Sequence, residues 1–413
     1  RAAGEDQLEL RPADWFDQHG VTLRLGVPAR HVDTAARTVE LADGERLHYD
    51  ELVLATGSTP FVPPIGGVDL PGVHRFRSWA DTRAIVDDAK RARSAVVIGG
   101  GLLGLEAARG LRARGVTVTV VHLAERLMEL QLDDPAAALL ARALRELRIK
   151  VLTASRTDAL LGGARVQRVR LADGRELRAD LVVIAAGIRP DVDLARTAGL
   201  EVGRGVLVDD ELRTSAPGVR AVGECAEHRG QVYGLWGPVL AQARVLGASL
   251  ARRPGAFLGV APATTLKVAG VELFCGGRVS AAERDQEMLA LDTRRGRYRR
   301  LLLGPDGRLA GAILLGDLRE ASVLRELLAS GEAVPEQILD RFTAVDGQDG
   351  HLLDSDPALN VCSCQGVTRG EILSAIREHA LTSVAQVAER TRASTGCGGC
   401  RSDVTALLAA ASR

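Results

Sequence analysis

Within AVVIGGGLLGLEAA, Gly99, Gly101 and Gly104 stand in GxGxxG spacing between two apolar runs, and no other short segment of this 413-residue chain restricts its folding as strongly. The first glycine permits a tight turn, the second lets backbone approach a pyrophosphate, and the third lets a helix pack closely on a strand. The helix N-terminus that follows favours negative charge. The spacing alone is a weak signature, so its context decides. Ala95–Ile98 reads as a strand buried on both faces, Leu102–Arg114 as a helix and Val116–Val121 as a second strand, which together make a dinucleotide-binding βαβ unit. In such units the second strand ends on Asp or Glu when the 2′-hydroxyl of NAD is read. Here it runs into His122, Leu123 and Ala124 before reaching Glu125. Arg126 is either a partner for the 2′-phosphate of NADP or a solvated loop arginine, and NADH versus NADPH stays open at this level.

Composition narrows the classes. Lys and Arg total 53, equal to Asp and Glu, so the formal net charge of zero supplies no general attraction to nucleic acid or to an anionic membrane. No stretch reaches the roughly 18 apolar residues of a membrane span, and the opening RAAGEDQLEL lacks the order of a signal peptide. A soluble, cytoplasmic protein is the expectation. No HExxH, GxSxG or P-loop pattern occurs, which leaves hydrolysis unsupported.

Other apolar runs, Glu51–Ala55 and Leu181–Ala186, read as further strands, and Arg37–Leu47 and Val166–Leu177 carry Asp-Gly between alternating residues, as hairpins do. After Pro254 the pattern changes to alternation in Leu266–Phe274, Tyr298–Leu303 and Leu309–Leu315, a separate small α/β unit. The basic run Arg294–Arg300 reads as a solvated strand edge. Thr343–Pro357 is acidic, broken by Gly and Pro, and reads as a linker. Beyond it come Cys362-x-Cys364, 32 intervening residues and Cys397-x-x-Cys400. Four thiolates suit Zn²⁺ or an iron–sulfur cluster, and neither spacing decides between them. Cys225 and Cys275 belong to no such pair and read as buried small hydrophobes.

Strand-ending turns at Ala55-Thr56-Gly57, Ala185-Ala186-Gly187 and Val222-Gly223-Glu224-Cys225, in this order around the Gly99 motif, resemble the two-dinucleotide flavoprotein reductases. GECAEH, the following Tyr233-Gly234-Leu235 and LKVAGVELF resemble their nitrite reductase branch. The resemblance implies that Thr56 and Gly57 lie on the FAD side, that Gly223 and Glu224 meet the ribityl chain, that Gly187 lies on the NAD(P) side, and that Glu106 lies near the nicotinamide as the catalytic candidate. It departs from the family in one respect. No counterpart of the first FAD-binding βαβ precedes Ala55, so the chain is expected to be N-terminally incomplete. The tail CSC…CGGC is similar to the [2Fe-2S] domain of bacterioferritin-associated ferredoxin, with Cys362, Cys364, Cys397 and Cys400 as ligands and zinc as the alternative.

The implied fold class is α/β: a two-dinucleotide-binding-domain flavoprotein of three-layer ββα, Rossmann-like type, with a small α/β domain and a small helical [2Fe-2S] module. The expected division is a partial FAD domain at 1–80, an NAD(P) domain at 81–200, a return to the FAD domain at 201–255, the small α/β domain at 256–342, a linker at 343–357 and the cluster module at 358–413. The resemblance implies an oxidoreductase that passes electrons from NAD(P)H through FAD and a [2Fe-2S] cluster to a nitrite or nitrate reductase catalytic subunit or domain, with no nucleic acid or membrane partner and room for a homodimer. The alternatives are a redox-sensing adaptor that binds nucleotide and cluster without turnover, and an electron donor for iron mobilisation.

Overall fold

The computed structural model describes residues 11–261, 263–268, 270–318, 320–343, 357–362, 365–396 and 399–411. Its central sheet places Val73–Arg75, Leu181–Ile184, Ser94–Ile98, Thr117–Val121 and Lys150–Leu152 side by side in that order, every neighbouring pair parallel. The uninterrupted apolar character of these strands follows from burial on both faces. Ala95, Val97, Val118 and Val120 pack on Leu105, Ala108 and Leu111 of the helix Leu102–Ala113. Val96, Ile98, Val121 and Val182 turn the other way, onto Leu160, Val169 and Leu171 of the antiparallel layer Thr157–Gly162, Val166–Leu171 and Glu176–Arg178. Helix, parallel sheet and antiparallel sheet make three layers. The Asp-Gly hairpins form as expected, with Gly44 and Gly174 at φ 88° and 87° in their turns.

Glu51–Ala55 contributes to a second body. Its strand Leu52–Leu54 pairs in parallel with Val219–Ala221, and Leu54, Val192, Val206 and Ala226 share one core. The chain passes between the two bodies twice, and the passages bind each other: Ser58–Pro60 runs antiparallel to Ile188–Pro190. Asp191 N–H donates to Gly57 O and Phe61 N–H to Gly187 O, both at 2.9 Å, while Thr56 Oγ1 donates to Asp191 O at 2.6 Å. Two glycine-ended turns far apart in sequence thus form one hinge-like ribbon.

The small α/β domain is a five-stranded antiparallel sheet in the order Ala263–Val268, Val271–Gly277, Leu309–Leu315, Arg297–Leu303, Gln286–Asp292, backed by the helix Ala321–Ser330. This corrects the reading of the basic run at its end: Arg294, Arg295 and Arg297 are exposed as expected, whereas Arg299 and Arg300 are not. Arg297–Leu303 has a neighbour on each side, and Arg299 and Arg300 are only 7% and 8% exposed. Alternation sends them to opposite faces. Arg299 forms an ion pair with Glu320 at 2.8 Å, without hydrogen-bond alignment, and stacks over Phe342. Arg300 reaches Asp133 at 3.1 Å and Glu287 at 2.8 Å. Buried charge is tolerated because each guanidinium meets a carboxylate.

The tail folds as a short hairpin, Asn360–Cys362 with Val367–Thr368, and three helices, Arg369–His379, Val384–Thr391 and Arg401–Ala411. Thr368 with Glu371 and Ser383 with Gln386 form capping boxes that start the first two helices. The tail docks on the small α/β domain: the hydroxyl of Ser322 donates to the buried carboxylate of Asp403. Most of the expected linker, residues 344–356, lies outside the described residues, as do Cys364 and Cys397. Among the described residues, no helix is long and apolar enough to cross a membrane.

Candidate functional site

Gly99 adopts φ 123°, and a Cβ there would lie 2.1 Å from Ala185 O. A Cβ on Gly104 would lie 2.1 Å from Gly99 O, so helix and turn touch through backbone alone. Gly101 precedes the first turn of Leu102–Ala113 with no side-chain cap and with open space around it. Free helix amides beside an open surface form an anion cradle.

Gly99 and Gly101 open onto a cavity of about 1190 Å³, lined by the central sheet's domain, the second body and the small α/β domain. Gly187 and Glu224 also line it, as do Tyr233 and, from the small α/β domain, Gly276. Thr56, Gly57 and Gly223 are not among its lining residues. Thr56 and Gly57 form the ribbon described above, and Gly223, at φ 87°, donates its N–H to Gln242 Oε1 at 2.8 Å. Glu106 is exposed on its helix and is not among the lining residues; partial burial of its carboxyl raises its pKa, opposed by Arg109.

Glu224 accepts from Ser58 Oγ at 2.7 Å and pairs with the guanidinium of Arg77. Sequence reasoning missed Arg77, because it reaches this acid from 147 residues away and carries no local signal. Arg189 lies over the ring of Phe61 at 4.3 Å, both in the paired crossings. Cys275 lines the cavity, and burial pushes its thiol up to about 12, so it remains neutral. Cys225 is fully buried beneath the Gly223 turn and donates to Val222 O and Leu54 O.

At the end of Thr117–Val121, His122 is buried and its ring is doubly engaged. Nδ1 accepts from Gly100 N–H at 3.0 Å, and Nε2 lies 2.9 Å from the carboxylate of Glu129. Met128, at φ 50°, hydrogen-bonds through its N–H to Gly100 O at 3.1 Å. A non-glycine residue in that region costs about 1 to 2 kcal/mol, and here it turns the chain back over the glycine motif. Arg126 is tied to Leu132 O and Glu129 O at 2.9 and 3.3 Å and is not a lining residue.

Of the four tail cysteines, Cys362 and Cys400 are described. Both are buried in one cluster with Val361, Ile372, Val387 and Val404. Gly366 N–H and Gln365 N–H turn back onto Cys362 O, and the hydroxyl of Ser394 lies 3.3 Å from Cys400 Sγ. Two thiols from distant segments converge under an apolar cover.

Residues 3–243 match the pyridine nucleotide-disulphide oxidoreductase family. The chain belongs to that family. Residues 262–332 match the rubredoxin NAD⁺ reductase C-terminal domain, and residues 360–410 the BFD-like [2Fe-2S] binding domain. In Bacillus subtilis, the assimilatory nitrate reductase electron transfer subunit is 38% identical over 98% of this chain and 52% of its own length. Nitrite reductase [NAD(P)H] of the same organism is 39% identical over 97% of this chain and 50% of its own. The chain therefore spans about half the length of these relatives. A solved ferredoxin reductase from Rhodopseudomonas palustris superposes with a TM-score of 0.76 at 26% identity, covering 84% of this chain and 85% of the other. Family membership accounts for the two-dinucleotide fold, a nicotinamide dinucleotide with FAD, and a [2Fe-2S] cluster in the tail.

Proposed function

We propose that this chain oxidises NAD(P)H and delivers the electrons to the catalytic centre of a nitrate or nitrite reductase in the cytoplasm. One observation carries the reading: the glycine turn, the Glu224 turn and the small α/β domain share a single cavity, and the cysteine-bearing tail is docked on that same small domain. Two redox sites joined through one small domain suit a relay, whereas an adaptor that senses nucleotide and cluster separately does not need them joined.

The residues present fit the groups this function needs. The open space at Gly101 and the first amides of the helix Leu102–Ala113 hold a pyrophosphate, while Gly99 and Gly104 let turn and helix pack without side chains between them. The helix Trp236–Leu250 begins without a side-chain cap, and Leu235 and Pro238 place that end on the cavity wall, where it stabilises electron-rich ring atoms. Glu224, neutralised by Arg77, accepts hydroxyl groups of a ribityl chain without leaving an uncompensated charge. Cys362, Cys364, Cys397 and Cys400 supply four thiolates. When bound, FAD accepts a hydride and releases single electrons, and the cluster carries one at a time. The chain's part is positioning: Tyr233 and Gly276 line the cavity from two bodies, so groups bound there are held between them.

The test is a full chain loaded with FAD and cluster, compared with Cys397→Ser. Dye reduction by NAD(P)H should persist in the variant and reduction of a one-electron protein acceptor should disappear. Equal protein-acceptor rates in both would place the cluster off the route and sink the proposal.

A further inference from the structure

We propose that Glu129 supplies the carboxylate that reads the adenosine ribose hydroxyls of NADH, and so selects NADH against NADPH. This rests on the reading that the Gly99 turn holds a nicotinamide dinucleotide. An acid at the end of the second strand normally performs this task, and Thr117–Val121 ends on His122 instead.

Tertiary structure replaces the missing acid. Gly100 N–H donates to His122 Nδ1, so the neutral ring carries its proton on Nε2 and donates it to Glu129, seven residues further on. The Met128 turn, pinned to Gly100 O, brings that carboxylate back to the glycine motif. Glu129 lines the cavity with 39% of its side chain exposed. His122 engages only one of its oxygens, leaving the other to accept from a ribose hydroxyl. A 2′-phosphate would bring like charge against the same carboxylate.

Arg126 is held by Leu132 O and Glu129 O, away from the cavity wall. Arg156 is exposed and lines the cavity, next to Ser155, whose N–H binds His122 O at 2.9 Å. It is the cation a 2′-phosphate would need, and Glu129 opposes that use.

Calorimetric titration of the full chain with ADP-ribose and with 2′-phospho-ADP-ribose tests the assignment without any turnover. The unaltered chain should bind ADP-ribose on the order of tenfold more tightly, and Glu129→Gln should remove most of that difference. A preference for the phosphorylated ligand, or a ratio unchanged in Glu129→Gln, would overturn it. A phosphate preference that vanishes in Arg156→Ala would assign selectivity to Arg156 with the opposite sign. If neither ligand binds, the dinucleotide reading fails, and this inference with it. Gly99→Ala, losing both ligands equally, reports on that underlying site alone.

Discussion

The hydroxyl of Tyr298, in the small α/β domain, donates to the carboxylate of Asp133, the N-cap of the helix Asp134–Glu146 in the nucleotide-binding domain. The same carboxylate accepts from Ala136 N–H at 3.2 Å and from Arg300 Nη1 at 3.1 Å. Burial first, and Asp133 second, raise the pKa of the Tyr298 hydroxyl, so it stays a donor. One acid therefore caps a helix and holds two domains together. Asp133→Ala should cost about 3 kcal/mol, from a lost cap and a buried guanidinium left with Glu287 and the Val279 carbonyl. Tyr298→Phe should cost about 1 kcal/mol. Urea denaturation separates them, and equal costs would mean that Arg300 does not depend on Asp133.

Burial lifts the Asp403 carboxyl to about 6, with Ser322 and Arg325 drawing it down. An unfolded aspartate titrates near 3.9. With the folded value the higher of the two, the stability contribution is complete below about pH 4 and is lost as pH rises through about 6. Asp403→Asn should flatten that dependence and stabilise the chain by about 2 kcal/mol at pH 8. Thermal melts from pH 4 to 8 check it; identical curves for both proteins would refute the assignment.

Gly99→Ala places a methyl group against Ala185 O at a backbone angle that L residues rarely adopt, and Gly104→Ala pushes the helix off Gly99 O. Both should raise KM for the nicotinamide nucleotide more than tenfold, with a smaller effect on kcat. Steady-state dye reduction measures this, and an unchanged KM in either would remove the close backbone approach from the binding site.

The neutral thiol of Cys275 reacts poorly, because only the thiolate is a nucleophile. Iodoacetamide at pH 8 should leave Cys275 unmodified in the native chain and label it fully in guanidinium, as read by peptide mass spectrometry. Rapid labelling of the native protein would show that this wall of the cavity opens to solvent.

The dinucleotide motif, the buried parallel strands, the Asp-Gly hairpins and the two-cysteine pairs were legible in the chain because each is a local pattern. Spacing of 2, 3.6 or GxGxxG encodes which face a residue presents and which backbone angle it needs. The charged contacts were not legible. Arg299 and Arg300 looked solvated because their compensating acids, Glu320 and Asp133, come from other elements. Arg77 meets Glu224 and Glu129 meets His122 only after sheets and loops have packed. Local sequence determined where strands and turns would form and where the paired cysteines stand. Tertiary structure alone decided which charges lie inside and what faces them, since a buried ion is tolerated only where the fold brings its partner.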